Sequence, residues 1–299
     1  MSGKDRDGKE ITEAHYLHER SGLEPVLRPP VKSPVALAWI PGREELLAAT
    51  RDGQLVSVDP VLGTRIVAEN LGEPAIVYIA EDRNRVLVIS RGGRYRVLTV
   101  RSELLYEGKH DFLTGMDGFF ADPYLLMYGD EEKGRFLYLI QEGVLKHRVP
   151  IGPRVIAALD PNGKGLVCRS TEQGLQVVPF GKEKLPKDEP TAHRLRATSR
   201  HILGFTQTGV AVWGQEGGQP RSMRLPDLTA GDISRDGSYL GLGTRNGAVA
   251  LARMDRMEKR THPDLVRAFN SPVTCVAFSS RGRWLATGAE GLRIWSWED

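Results

Sequence analysis

Cysteine is nearly absent from this 299-residue chain, which has only Cys168 and Cys275. Two cysteines so far apart exclude a disulfide framework and a cysteine-rich metal site. Each lies in a short apolar run, 165–170 and 273–279, where a buried, reduced thiol is expected. Long apolar runs are also lacking, and none approaches the roughly 20 residues that a helical membrane span requires. The first ten residues alternate charges and have no apolar core of the kind that marks a signal peptide. A cytoplasmic location without membrane contact is the resulting expectation. Extended stretches with apolar residues at helical spacing are missing, so the chain reads as all-β. No charge of one sign dominates either: 41 basic and 38 acidic residues leave a formal +3. A general attraction to polyanions is thereby excluded, and an electrostatic partner has to use a local patch.

Catalytic motifs are scarce as well. A Gly-x-Ser-x-Gly elbow and a Gly-x-x-x-x-Gly-Lys-Ser/Thr phosphate loop are both absent. Arg91-Gly92-Gly93-Arg94 is glycine-rich, but it joins two strand-like runs and reads as a hairpin. His15 and His18 stand three apart with no further ligand at metal-binding spacing. The remaining histidines are scattered. Among the innermost strands, which read VALAWI, AIVYIA, VIAAL and VTCVAF in four units, charge is confined to Asp117, Arg196 and Asp232. Hydrogen bonding within the fold is the role expected of these three. Neither a cofactor, a metal nor catalysis is expected.

What the sequence does contain is repetition. Its 33 glycines and 18 prolines are dispersed, and they punctuate many short runs of Val, Leu, Ile and aromatic residues. The first run of each unit falls at Val35, Ala75, Gly115, Val155, Leu195, Ala230 and Val273, with spacings of 40, 40, 40, 40, 35 and 43 residues. A period of this length, with four runs per unit, predicts a β-propeller. The expected architecture is seven blades of four antiparallel strands. The last unit, 271–299, supplies only three runs. Residues 22–28 are the spare strand expected to complete it and close the ring. The chain divides on this reading into an N-terminal tail, 1–21, partly flexible, and a single propeller domain, 22–299. Residues 181–190 and 255–269 are expected to be surface loops, the latter in place of a clean outer strand.

The local motifs resemble those of the WD-repeat β-propeller family. The last unit has a Ser279-Ser280-Arg281-Gly282 turn, then Trp284 to Gly288, then Arg293-Ile294-Trp295 near the family's Trp-Asp position. Ser234-Arg235-Asp236-Gly237 and Asp160-Pro161-Asn162-Gly163 are similar turns. Arg51-Asp52-Gly53 and Arg245-Asn246-Gly247 match the family's Asp-Gly turn between second and third strands. No Gly-His dipeptide precedes a first strand and the Trp-Asp dipeptide is absent. The resemblance therefore implies a divergent member that lacks the family's buried Asp-His-Ser-Trp network.

In such a blade the turns between second and third strands share one face. Arg51, Arg91, Arg94 and Arg245 fall on these turns in neighbouring units, with Lys32 close by, while Asp130, Glu131 and Glu132 gather in the third unit. The expected function is a non-catalytic interaction scaffold or adaptor presenting this basic arc to a partner protein, as a monomer or a subunit of a hetero-complex. Two alternatives are a lactonase-like or lyase-like enzymatic or small-molecule ring, and a nucleic-acid-associated propeller that adds Arg194, Arg196 and Arg200. The near-neutral charge opposes a nucleic-acid partner.

Overall fold

A computed structural model describes residues 2–4, 10–12, 23–80, 84–111, 114–121, 124–150, 156–158, 166–171, 174–179, 192–197, 201–206, 209–214, 217–257, 263 and 265–297. All strand pairs are antiparallel. β1 (Ser2–Lys4) and β2 (Glu10–Thr12) form a small hairpin, and β3 (Leu23–Leu27) follows. The first meander is β4 (Pro34–Trp39), β5 (Leu46–Thr50), β6 (Leu55–Asp59) and β7 (Gly63–Ala68). The second is β8 (Pro74–Ile79), β9 (Arg85–Ser90), β10 (Arg94–Thr99) and β11 (Leu104–Lys109). The third is β12 (Thr114–Ala121), β13 (Tyr124–Glu131), β14 (Gly134–Gln141) and β15 (Val144–Pro150).

Then come β16 (Ile156–Ala158), β17 (Leu166–Thr171) and β18 (Gly174–Pro179). They are followed by β19 (Ala192–Ala197), β20 (His201–Thr206), β21 (Gly209–Gly214) and β22 (Gly217–Arg224). β23 (Leu228–Ile233), β24 (Tyr239–Thr244), β25 (Ala248–Arg253) and β26 (Leu265–Arg267) make another four-stranded sheet. The last sheet has β27 (Cys275–Phe278), β28 (Leu285–Gly288) and β29 (Leu292–Trp297).

The blade count differs from expectation. The structure has six blades where seven were expected, because the fourth and fifth units share one seven-stranded sheet ordered β16-β17-β18-β22-β21-β20-β19. Among the described residues the fourth unit supplies three strands. The unfilled edge of β18 meets β22 through the pair Leu175 and Gly218, consistent with the tendency of an open strand edge to recruit a neighbour. Residues 181–190, expected as a loop after this unit, lie outside the described residues. The first strands pack in series from β12 through β8, β4 and β27 to β23, and this series does not by itself establish a closed circle. The sixth unit also departs from expectation. After a short 3-10 turn, Met254–Arg256, β26 pairs with β25, so the span 255–269 contains the outer strand it was expected to lack.

The completing strand is where the repeat placed it. β3 pairs with β29, with Leu23 opposite Trp297 and Leu27 opposite Ile294. Burial follows position in the blade. Every residue of the second strands β5 and β28 is buried, since neighbouring sheets cover both faces, whereas the outer strand β7 is mostly exposed. Buried apolar residues accordingly collect between adjacent sheets. One cluster joins Leu47 and Leu55 to Val77 and Val86, another joins Leu23 and Trp295 to Val249 and Phe278. Each fully buried leucine contributes about 1.5–3 kcal/mol.

Polar groups fasten the sheets to one another. Trp39 Nε1 donates to the Ala277 carbonyl at 3.0 Å, and Thr274 Oγ1 donates to the Pro34 carbonyl at 2.6 Å. Asp117 accepts the Gly118 amide at 2.9 Å within its own strand, and Asp232 accepts the Phe278 amide at 2.9 Å from the next sheet. Both acids thus serve the fold, while the side chain of Arg196 lies outside the described residues. Trp295 Nε1 donates to Thr287 Oγ1 at 2.8 Å, with both residues buried.

Candidate interaction face

Antiparallel order places the turns after β5, β9, β24 and β28 at one end of their sheets. Arg51, Arg91 and Arg245 occupy one equivalent position there, the residue directly after the second strand. Each backbone amide is anchored to the segment that leads into its own first strand: Arg51 to the Ser33 carbonyl at 3.0 Å, Arg91 to Glu73 at 2.8 Å, Arg245 to Asp227 at 2.8 Å. The turns are built by side chains as well. Thr50 Oγ1 bonds the Asp52 carboxylate and Thr244 Oγ1 the Asn246 amide oxygen, while the Gln54 and Ala248 amides donate back to the same hydroxyls at 3.1 and 3.0 Å. Gly247, at φ +81°, closes the second of these turns against the Phe269 carbonyl. The arginine tips therefore stand on rigid supports.

All five residues expected at the site are exposed, and their turns adjoin. Lys32 pairs with Gly291, and Ser33 donates to the Glu290 carbonyl while accepting from Arg51. Arg91 and Arg94 flank the Gly92-Gly93 turn of the next sheet. Arg245 lies on the other side, its turn joined to Val273 through the Thr244 carbonyl. The arc runs Arg245, Glu290, Lys32 with Arg51, then Arg91 with Arg94.

Acids are interspersed. Glu73 pairs with Arg91 at 3.1 Å, an exposed contact worth little. Glu290 accepts from Ser271 Oγ and from the Asn270 amide. Burial pushes its carboxyl up, but these hydrogen bonds outweigh that and hold it below the usual range. Among the described residues, Arg51, Arg94, Arg245 and Lys32 form no ion pair. The third unit is the converse. Asp130 is held by Arg135 at 2.6 and 2.8 Å, and Glu131 by Arg148 at 2.6 Å. Its expected acidic pole is thus largely neutralised internally.

Two cations on this end escaped the sequence reading. Arg293 lies 4.7 Å over the Phe269 ring; burial and the nearby Arg28 lower its pKa, and Glu290 opposes them. Lys109, at the end of β11, stands directly opposite Arg94 on β10. Its position depends on cross-strand register, which residue spacing alone does not reveal.

His110 follows Lys109 and wedges between two sheets, stacked on Tyr138 at 4.1 Å and on Tyr95 at 5.6 Å between ring centres. Burial depresses its pKa, with Glu131 and Asp111 opposing. The unfolded chain therefore binds a proton that the folded one resists. This stability is complete above the ordinary value of about 6.5 and is lost as pH falls through the folded value. In thermal melts from pH 7.5 to 5.5, the wild-type melting temperature should fall more steeply than that of His110→Phe. Parallel curves would show that His110 does not titrate differently on folding.

Among the described residues, nothing at this end is arranged as a nucleophile with its base. Cys275 is buried and free, its thiol pushed up to about 12 by burial. Among the described residues no group of three His, Cys, Asp or Glu is placed to hold a metal ion. His15 and His18 lie outside the described residues. At the opposite ends of the strands, apolar pairs are exposed at successive third-to-fourth strand turns: Val61 and Leu62 (90% and 86%), Leu104 and Leu105, Val144 and Leu145.

No family model and no curated protein matches the chain. Among solved structures, the crystal structure of the C-terminal WD40 domain of Sif2 matches over 93% of this chain and 99% of that one, with a TM-score of 0.68 and 11% sequence identity. The two share a fold at this low level of sequence identity.

Proposed function

We propose that this chain, a divergent WD-repeat β-propeller by fold, is a non-catalytic interaction scaffold. Its ligand is an acidic surface of a protein partner, met by the face of Arg51, Arg91, Arg94, Arg245 and Lys32, within a larger cytoplasmic complex. The observation that carries this reading is the contrast in how charge is used. Acids of the third sheet are bound by their own arginines, whereas four cations of the arc have no ion pair among the described residues. Rigid turns hold them outward, which limits the entropy lost on docking. Forked guanidinium donors suit carboxylates, and the exposed apolar pairs on the opposite side add surface of the kind that protein partners cover. Asp52, Glu73, Asp227 and Glu290 interrupt the arc and disfavour a continuous nucleic-acid track.

Replacing Arg51, Arg91, Arg94 and Arg245 together with alanine should sharply reduce the proteins retained by the tagged chain in its native extract. Its melting temperature should change by no more than about 2 °C, since exposed substitutions cost little. An unchanged set and amount of retained proteins would reject the reading.

A further inference from the structure

Three cations of this end surround a hollow. Arg91, Gly92, Arg94, Glu107, Gly108 and Lys109 line an open concavity of about 620 Å³ at the rim of the second sheet. Its charges are unequal in their commitments. Glu107 is taken by Arg96 at 2.9 Å, and Arg96 is itself anchored to the Asn70 carbonyl at 3.1 Å. Glu73 is taken by Arg91. Arg94 and Lys109 are left without an ion pair among the described residues, and they face each other as direct cross-strand partners. Like charges in that position destabilise a sheet. Gly92 faces open space, with nothing within 4 Å of where its Cβ would be, while Gly108 makes room for the Tyr95 ring, which a Cβ there would meet at 2.6 Å.

We infer that this concavity is an anion subsite for the side-chain carboxylates of an acidic peptide segment, an inference that rests on the scaffold reading and locates its contact. A carboxylate between Arg94 and Lys109 replaces repulsion by two charge-assisted hydrogen bonds. The three cations Arg91, Arg94 and Lys109 suit adjacent Asp or Glu side chains. The interrupting acids along the arc disfavour a long polyanion.

The test is fluorescence anisotropy with the full chain and a labelled octapeptide of alternating Asp and Glu, at about 50 mM salt, where surface charges are weakly screened. Unlabelled oligo-dT of equal charge serves as competitor. Arg94→Gln/Lys109→Gln should weaken binding about tenfold or more, while Lys146→Gln, exposed on β15 away from this face, stays within about twofold. A separate measurement addresses the repulsion: Lys109→Glu should abolish peptide binding yet raise the melting temperature by about 1–2 °C. The inference is overturned if the double variant binds like wild type, if oligo-dT displaces the peptide more effectively than unlabelled peptide, or if Lys109→Glu melts lower. If the double variant binds the peptide normally while the quadruple arginine variant loses its retained proteins, the scaffold reading stands and the subsite falls. If neither variant has an effect, both fall.

Discussion

A chain shortened to start at Pro29 is expected to lose most of its folding stability and to melt far below the intact protein. β3 is the fourth strand of the last sheet, although it precedes every other blade strand in sequence. Its Leu23 is completely buried among Trp295, Phe278, Leu285 and Val249. Without it, the edge of β29 is bare along the register from Ile294 to Trp297, and the apolar surfaces of Ile294 and Trp295 become accessible. Truncating a buried leucine to alanine alone costs about 2–5 kcal/mol. Removal of the strand adds the lost ladder and the exposed indole, against a total stability of about 5–15 kcal/mol. Leu23→Ala is the milder companion, expected to lower the denaturant midpoint clearly while leaving a single transition. Guanidinium unfolding followed by tryptophan fluorescence reports both. A shortened chain that unfolds at the intact midpoint would mean that β3 contributes no stability.

The second large effect is expected at Gly247. Alanine there is penalised twice. Its φ of +81° costs a side-chain-bearing residue roughly 1–2 kcal/mol. Its Cβ would also lie 2.2 Å from the Phe269 carbonyl oxygen and 2.9 Å from that of Ser271, both backbone atoms that cannot rotate away. The same Gly247 carbonyl accepts the Ala268 and Phe269 amides at 3.0 Å, so displacement breaks the link to the next sheet. A loss of about 4 kcal/mol or more follows, at the upper end of single substitutions. Gly63 provides the control, with φ +89° and nothing within 4 Å. Gly63→Ala should cost about 1–2 kcal/mol, the conformational term alone. Equal losses in the two variants would show that the close approach at Gly247 relaxes freely.

Several of these features were legible in the sequence because they depend on local chemistry. Arg51 and Arg245 could be placed on equivalent tips since Thr-x-Asp/Asn-Gly specifies the turn through its own side chains. β3 could be placed by counting, because the last unit has three strand runs and residues 22–28 have no other sheet to join. The fused fourth and fifth units were not legible. Their union depends on a pairing between Leu175 and Gly218, residues whose neighbours carry no signal for each other. β26 was hidden for a related reason: only Leu265 to Arg267 pair, too short a run to show alternation within 255–269. Lys109 was missed because the register of β10 against β11 shifts between Val97 and Leu98, so counting from the hairpin misplaces its partner.

The pairing of β3 with β29 also has a mechanical consequence. Leu23, at the start of one strand, lies opposite Trp297, at the end of the other, so these two strand ends share one corner. Tension applied at Leu23 and Trp297 pulls the two strands apart at that corner and breaks their rungs one after another. A load borne across the flat of the sheets meets many rungs at once. Along that line the rungs yield singly, and an assembly that pulled on Leu23 and Trp297 would begin to open there.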